Sequence, residues 1–190
     1  MIFKHLTVAA ALAVAVVSFP AQAQPSAPRV ALETSEGTIV IELAPQAAPK
    51  TVENFLGYVK SGHYNGTIFH RVIPSFMVQG GGFAADMKEK PTRGTIPLES
   101  QNGLKNARGT VAMARRGDPN SASAQFFINV VDNARLDYPN PDGNGYAVFG
   151  KVVEGMDVVE KIRAAPTATR GVYENVPVQP IVIKTAKVTQ

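Results

Sequence analysis

The sequence predicts a mainly β fold of short strands that carries two amphipathic helices. Eight short runs rich in β-branched and aromatic residues recur between Gly, Pro, Asn and Asp residues. Two further segments place apolar residues at helical spacing. The chain has 190 residues, of which 45% are hydrophobic and 18% charged, as expected for one globular domain with a substantial core. Eight strands are typical of a β-sandwich or a β-barrel.

The N-terminal segment differs in composition from the rest of the chain. Lys4 precedes an apolar run over residues 6–19, and Ala21-Gln22-Ala23 follows as a typical signal-peptidase site. A membrane anchor is the alternative, but a helix that spans the hydrocarbon needs about 20 apolar residues and this run is shorter. We therefore expect cleavage after Ala23. The predicted organisation is a signal peptide over residues 1–23, a tether over 24–28 and one domain over 29–190.

The predicted strands begin with a β-hairpin. Val30, Leu32 and Thr34 alternate with Ala31 and Glu33, Glu36-Gly37 forms a turn, and residues 39–43 run back. The other six strands are predicted at residues 67–73, 76–79, 110–114, 126–131, 147–153 and 178–188. Long surface loops are predicted at residues 82–101 and 132–145.

Two segments have the periodicity of helices. The first has Pro49 at a plausible first helical position and Gly62 just beyond its end. The second covers residues 156–162. Their apolar faces consist of Val52, Phe55, Leu56 and Val59 in the first helix and Val158, Val159 and Ile162 in the second.

Composition excludes several classes of function. The net charge of +4 is scattered, with no basic block longer than Arg115-Arg116, so the sequence gives no indication of nucleic-acid binding. The absence of cysteine excludes thiol nucleophiles, disulfides and Cys-ligated zinc. His63 and His70 lie outside any H-E-x-x-H helix, so we expect no metal and no cofactor. There is no G-x-S-x-G hydrolase motif, and the triple glycine at residues 80–82 lacks the G-K-[ST] of a phosphate loop; it is interpreted as a strand exit.

Four blocks carry the most specific pattern in the chain. They are FHRVIPSFMVQGG at residues 69–81, GTVAMA at 109–114, QFFIN at 125–129 and AVFG at 147–150. Their order and separations resemble those of the cyclophilins, and the match runs from about Val30 to Lys187. The resemblance implies a closed eight-stranded antiparallel β-barrel capped by two α-helices, with an active groove on its outer surface. It also implies peptidyl-prolyl cis/trans isomerase activity, which accelerates rotation about X-Pro bonds.

The resemblance also implies which residues form the site. The residues implied as catalytic are Arg71, Phe76, Gln79 and Phe127, and those implied as substrate-binding are Met77, Ala114, Arg115, Gln125, Leu136 and Tyr146. An arginine suits this chemistry because the amide nitrogen regains its lone pair only when the bond is twisted, and a fixed guanidinium there stabilises the transition state selectively. Strand alternation places Phe69, Arg71 and Ile73 on one face.

Three positions depart from the best-known cyclophilins. These carry Asn in place of Arg115, Trp in place of Arg135, and His in place of Tyr146. The contact at the first position is made by the main chain in the family, so we expect catalysis to survive. The other two changes lie at the groove rim. Because cyclosporin sensitivity in the family goes with the rim Trp, we expect weak cyclosporin binding.

A second reading is a non-catalytic chaperone that binds peptides on the same barrel. Its signature would be loss of Arg71, Phe76 or Phe127, and all three are present. The implied partners are proline-containing exported polypeptides whose folding the protein assists, and we expect a monomer that binds neither nucleic acid nor membrane. The predicted location is a Gram-negative periplasm. Secretion from a eukaryote is the alternative, in which case Asn65-Gly66-Thr67 would be a glycosylation acceptor.

Overall fold

The computed structural model describes residues 26–190, so the predicted signal peptide and the start of the tether lie outside the described residues. Within this range there are two α-helices and ten strands. The helices are α1 (Pro49–Lys60) and α2 (Met156–Arg163), and a short 3-10 helix spans Ala134–Leu136. The strands are β1 (Arg29–Thr34), β2 (Thr38–Leu43), β3 (Thr67–Ile73), β4 (Met77–Ala84), β5 (Thr110–Met113), β6 (Phe126–Asn129), β7 (Val148–Glu154), β8 (Thr167–Arg170), β9 (Tyr173–Pro177) and β10 (Val182–Val188).

Eight of these strands form a closed barrel in the order β1-β10-β3-β4-β6-β5-β7-β2. All neighbouring strands are antiparallel, and β1 completes the ring by pairing with both β2 and β10. The barrel expected from the resemblance is therefore confirmed, and the sandwich is excluded. Closure leaves no barrel edge free to pair with another chain.

The barrel interior is filled by the apolar half of each alternating strand. In β1 and β2 the inward residues, Val30 and Leu32 from one strand and Ile39 and Ile41 from the other, are fully buried. The apolar faces of both helices join the same interior cluster. Phe55 of α1 lies at its centre, because its ring packs within 5.0–5.6 Å of three other aromatic rings, those of Tyr64, Phe126 and Phe149.

Helix α1 depends on a distant residue at its N-terminus. Pro49 is at the first helical position as predicted, but the N-cap residue Ala48 has no side-chain acceptor. Glu99 supplies one from the loop before β5, where its carboxylate accepts from the backbone N–H groups of Lys50 and Thr51 at 3.1 and 2.8 Å. The carboxylate also complements the positive end of the helix dipole. At the other end, Gly62 lies just past the helix with a φ of 69°.

Strand β3 contains a bulge that the predicted alternation missed. Phe69 pairs with Gly80 and Arg71 pairs with the next residue, Gln79, so His70 is extra on β3. The alternation predicted that Phe69, Arg71 and Ile73 share a face, and this is wrong. Phe69 is in the barrel interior, whereas Ile73 packs against an outer apolar cluster. The bulge places the side chains of both His70 and Arg71 in the outer groove.

The triple glycine lies inside β4 instead of ending it. The predicted loop from residue 82 is therefore wrong at its start, because the strand continues to Ala84. Gly81 has a φ of 85°, and a Cβ there would lie 2.8 Å from the Tyr64 ring and 3.0 Å from that of Phe126. Glycine thus allows the strand to pass close to the aromatic core.

The C-terminal region differs most from the prediction. The strand predicted at residues 178–188 begins only at Val182, since Pro180 has no N–H for a ladder hydrogen bond. Before it, β8 and β9 form a two-stranded hairpin outside the barrel. Its residues are largely polar and exposed, so they carry little of the apolar alternation that indicates a strand.

Candidate active site

A row of cross-strand partners on the outer surface of the barrel brings together three of the four predicted catalytic residues. Arg71 of β3 pairs with Gln79 of β4, Gln79 pairs with Phe127 of β6, and Phe127 pairs with Ala112 of β5. Ala112 in turn pairs with Val148 of β7. Neighbours in register point to the same side of a sheet, so these five side chains share the outer face of the barrel. The row is polar at its β3 end and apolar at its β7 end.

The polar end of the row is a chain of side-chain hydrogen bonds. The Arg71 guanidinium donates to Gln79 Oε1 at 3.5 Å, and Gln79 Nε2 donates to Gln125 Oε1 at 2.9 Å. Within residues 26–190, Arg71 has no carboxylate partner. Gln79 and Gln125 therefore orient a guanidinium whose charge is not neutralised by a neighbour.

The apolar end is a compact cluster separate from the barrel interior. Its buried members are Met77, Ala112, Phe127, Leu136 and Val148, and the partly buried side chains packed against them are Ile73, Phe76, Ala114 and Tyr146. The 3-10 helix supplies Leu136, and β4 and β6 supply Met77 and Phe127. The cluster thus contains six residues of the predicted site, namely Phe76, Met77, Ala114, Phe127, Leu136 and Tyr146. The result is an apolar surface on the outside of the barrel, the chemistry that a small apolar ring requires.

The predicted substrate-binding residues Ala114 and Arg115 follow directly after β5. The Ala114 N–H donates to the carbonyl of Gln125 at 3.0 Å, which holds this segment against the start of β6. The small Ala114 side chain packs at the edge of the apolar cluster. The Arg115 side chain turns away toward the loop before β7, where it forms an ion pair with Asp142 at 2.8 Å. The hydrogen bond from Arg115, together with its positive charge, holds the pKa of Asp142 below its ordinary value.

A groove of about 760 Å³ adjoins the apolar cluster. Its lining includes Arg71, Gln79, Gln125 and Ala114, and its far wall is formed by residues 172–175 of the β8–β9 hairpin. Phe76, Phe127 and Leu136 lie in the cluster instead of the groove. The predicted site therefore has two compartments, a polar groove and an apolar cluster, which share Ala114. The β8–β9 hairpin was not predicted from the sequence, so this wall of the groove was not predicted either.

Arg135 and Phe76 form the rim of the apolar cluster. The Arg135 guanidinium carbon lies 4.5 Å above the centre of the Phe76 ring, as in a cation–π contact. The Arg135 guanidinium therefore covers one face of the Phe76 ring.

His70 is the extra residue of the β3 bulge and is buried between the groove and Phe83. Its ring lies 4.6 Å from that of Phe83, and Nδ1 has no hydrogen-bond partner among the described residues. Burial, the largest cause, and the nearby charge of Arg71 lower the pKa of His70 to about 4. The imidazole is therefore neutral at pH 7, and the positive charge at this point comes from Arg71.

A network of buried asparagines supports the cluster from below, and sequence reasoning missed it. Asn133 Nδ2 donates to the Phe76 carbonyl at 2.8 Å and to Asn129 Oδ1 at 2.7 Å. Asn129 Nδ2 donates in turn to Asn106 Oδ1 at 3.2 Å, and Asn106 donates to Asp137. The network fixes the Phe76 backbone and both ends of the 3-10 helix that carries Leu136. The one signal in the sequence was polar residues at strand ends, which does not indicate burial.

Residues 26–190 contain no group of three or more His, Asp or Glu side chains arranged to hold a metal ion. No helix in that range has the length and apolarity needed to cross a bilayer.

Comparison with known proteins assigns the family. The family model described as cyclophilin type peptidyl-prolyl cis-trans isomerase/CLD matches residues 29–188. Peptidyl-prolyl cis-trans isomerase A of Dickeya dadantii is 53% identical over 186 residues, which cover 97% of each chain. Peptidyl-prolyl cis-trans isomerase cyp18 of Streptomyces antibioticus is 59% identical over 161 residues, covering 84% of this chain and 97% of its own length.

A solved structure agrees with this assignment. The cyclophilin type peptidyl-prolyl cis-trans isomerase of Cryptosporidium parvum superposes with a TM-score of 0.72 at 27% identity, covering 86% of this chain and 98% of its own. The barrel, the family match over the whole described domain and relatives above 50% identity all lead to one conclusion. The chain belongs to the cyclophilin-type peptidyl-prolyl cis-trans isomerases, whose substrates are proline-containing polypeptides.

Proposed function

We propose that Arg71 is the group that lowers the rotation barrier of the X-Pro bond, with the proline ring held in the apolar cluster. The barrier of about 18–20 kcal/mol comes from delocalisation of the nitrogen lone pair, so no bond has to break. At the twisted transition state that lone pair becomes a hydrogen-bond acceptor. A donor placed beside it stabilises the transition state more than either planar ground state, which is the requirement for catalysis.

The observation that carries this proposal is the position of Arg71, which has no carboxylate partner among residues 26–190, in the same cross-strand row as the apolar cluster. A proline ring has no polar group, so burial against Met77 and Phe127 favours it without a desolvation penalty. Gln79 is the direct cross-strand partner of Phe127, and Arg71 is the partner of Gln79 one strand further along the same face. The amide nitrogen of a ring seated on the cluster would therefore lie toward the guanidinium, while Ala114 and Gln125 face the flanking chain.

Gln79 and Phe76 have supporting roles in this proposal. The long 3.5 Å contact between Gln79 and Arg71 orients the guanidinium without neutralising it. Phe76 packs against the buried members of the cluster, as Tyr146 does. A relative offers support for a proline ligand: the structure of the Cryptosporidium parvum protein was also determined in the presence of the dipeptide ala-pro.

Arg71→Ala tests the catalytic role. We expect turnover of a prolyl peptide to fall roughly 10- to 150-fold, the rate equivalent of a charged hydrogen bond worth about 1.5–3 kcal/mol. Thermal unfolding should change little, because Arg71 is only partly buried outside the barrel core. Gln79→Ala should cost less turnover, since it acts through Arg71. Normal turnover in a folded Arg71→Ala protein would remove Arg71 from the mechanism.

The second candidate, a chaperone that binds peptides without turnover, makes a different prediction. A binder would hold unfolded clients on the same cluster, and Arg71→Ala would then leave client refolding unchanged. We expect instead that refolding of a proline-limited client slows in parallel with peptide turnover. Equal refolding rates for the wild type and a turnover-deficient Arg71→Ala protein would favour the binder.

We further propose that the protein works on exported clients after removal of residues 1–23. The apolar run and the Ala21-Gln22-Ala23 site support export, and the alignment with the Dickeya dadantii relative covers 97% of the chain. A periplasmic location follows if the source is Gram-negative. Mass spectrometry of the exported protein should find Gln24 as its first residue; Met1 retained in a membrane fraction would contradict cleavage.

A further inference from the structure

The Arg115 side chain is buried to a degree unusual for an arginine. Only 2% of it is exposed, although the residue lies on a connection at the barrel surface. The family contact expected at this position involves the main chain alone, so it gives no reason for a buried guanidinium. The explanation lies in the loop over residues 137–146, which leads from the 3-10 helix toward β7.

This guanidinium is satisfied mainly by that loop. Arg115 Nη2 donates to both carboxylate oxygens of Asp142 at 2.8 Å, and Arg115 Nε donates to the Gly145 carbonyl at 3.0 Å. A third contact goes to the carbonyl of Arg116 at 3.1 Å. Its central carbon also lies 4.5 Å above the centre of the Tyr146 ring. Arginine suits this arrangement because its planar fork makes several directed contacts at once.

These contacts determine where Tyr146 stands. The Tyr146 N–H donates to the Leu136 carbonyl at 2.9 Å, and its ring meets the Phe127 ring edge-on at 5.8 Å. Arg115 holds the preceding carbonyl and covers the ring face. The ring is therefore fixed between the guanidinium and Phe127, as one wall of the apolar cluster.

Burial makes the pair and the loop depend on each other. A guanidinium out of contact with water is tolerated only while its charge and N–H groups are matched. If the loop moves away, Arg115 loses the Asp142 and Gly145 acceptors together. The loop itself is largely exposed on its other side, and a Cβ on Gly145 would lie 2.6 Å from the Tyr138 nitrogen, so it is tightly folded on itself.

We infer that Arg115 and Asp142 are a positioning pair that closes the loop over residues 137–146 against the apolar cluster and so sets the affinity for the proline segment. The inference rests on the proposed site, in which the cluster receives the proline. The wall acts on the bound ring in its cis, trans and twisted forms alike. Loss of uniform binding of this kind raises KM, whereas loss of Arg71, which acts on the transition state, lowers kcat.

The test compares Arg115→Ala and Asp142→Asn with a matched exposed pair, Arg108 and Glu160. That pair is joined at 2.7 Å, with the two side chains 50% and 36% exposed, and it lies outside the groove lining and the cluster. For both test variants we expect KM for a prolyl peptide to rise by about tenfold, with kcat within about twofold of wild type. Arg108→Ala should leave both constants unchanged.

Two further measurements keep the test informative. Asp142 is 39% exposed, so Asp142→Asn tests the inference even if Arg115→Ala fails to fold. When Arg115→Ala and Asp142→Asn are combined, KM should rise by less than the product of the two single increases, because both substitutions break the same ion pair. NMR of the labelled Tyr146 ring should show a shifted, broadened signal in Asp142→Asn and an unchanged one in Arg108→Ala.

The outcomes separate this inference from the catalytic proposal. An unchanged KM and an unchanged Tyr146 signal in folded Asp142→Asn would overturn the positioning role, whatever Arg71→Ala does. A fall in kcat equal to that of Arg71→Ala, with KM unchanged, would also overturn it, since the pair would then act in the transition state. Failure of Arg71→Ala to lower turnover would leave the KM test of the pair intact.

Discussion

Phe126 and Phe127 are neighbours in β6, yet they belong to different apolar clusters. The Phe126 ring lies in the barrel interior against those of Phe55, Tyr64 and Phe69. The Phe127 ring lies outside, in the smaller cluster beside Tyr146. The interior is closed on all sides and apolar, whereas the outer cluster is open on one side and supported by Arg71, Arg115 and the asparagine network. The comparison shows that one strand can serve stability with one face and ligand binding with the other.

The largest expected effect comes from truncating each of these two rings. Phe126→Ala should lower the free energy of unfolding by about 3–5 kcal/mol, because it leaves a cavity in a closed core. Phe127→Ala should cost about 2 kcal/mol, since water can enter the open cluster, but it should lower turnover at least about tenfold by removing the proline platform. Denaturant unfolding and a prolyl-peptide assay measure both effects. Equal losses of stability would contradict the separation of the two clusters.

The next largest effect is the pH dependence of stability, which we expect to come from the buried His70 on the outer side of the barrel. Its folded pKa of about 4 lies below the ordinary 6.5, so the unfolded chain binds more protons between these values. Stability should therefore be full above about pH 6.5 and fall by about 3 kcal/mol as the pH drops toward 4.

His70→Gln should remove most of this pH dependence. His63→Gln is the matched control, since partial burial also lowers the pKa of His63, and it should remove a smaller part. Urea unfolding at pH 7 and pH 5 measures the difference. A slope that survives in His70→Gln would show that another group is responsible.

A smaller effect is expected from the asparagine network. Asn133→Ala leaves Asn129 Oδ1 without its donor and the Phe76 carbonyl with only the Val130 N–H at 3.2 Å, and should cost about 1–3 kcal/mol of stability. Turnover should fall a few-fold as the Phe76 backbone loosens. Asn65→Ala, which removes an acceptor for the Ala186 N–H far from the groove, should leave turnover normal. Full turnover in Asn133→Ala would show that the outer cluster needs no such support.

The smallest effect on turnover is expected at the rim. Arg135 offers neither the flat apolar contact nor the N–H donor of an indole, and its charge loses hydration against an apolar cyclic peptide. We therefore expect weak cyclosporin binding, and Arg135→Trp should strengthen it while changing turnover on short peptides little. Calorimetry on both proteins measures this. Nanomolar affinity of the unmodified protein would show that the rim Trp is dispensable.

Much of the fold could be predicted from local pattern. The hairpin of β1 and β2 and the apolar faces of both helices follow directly from spacing, and the structure confirms them. The prediction failed where backbone irregularity replaced periodicity. The bulge at His70 and the glycine-rich part of β4 both break the alternation that a strand prediction uses. The polar β8–β9 hairpin has no such pattern to find.

The site was predictable only as far as a resemblance could identify residue types. The resemblance identified Arg71, Gln79 and Phe127, and the structure places these three residues in one cross-strand row. Ala112 and Val148 were missed, although alternation with the buried Val111 and Phe149 indicates that they face outward. The partners of Arg115 and of the buried asparagines come from segments far apart in the chain, and no local pattern records them.

The sequence by itself determined the eight barrel strands, the two helices, the family and the residue types available for chemistry, because these depend on composition and short-range spacing. Only the tertiary structure decided which side of the barrel each residue occupies and which charges are matched. Glu99 caps a helix 48 residues away, and Asp142 satisfies an arginine 27 residues away. Such contacts exist only after the barrel closes, because closure brings the distant loops together and removes the water that would otherwise solvate those groups.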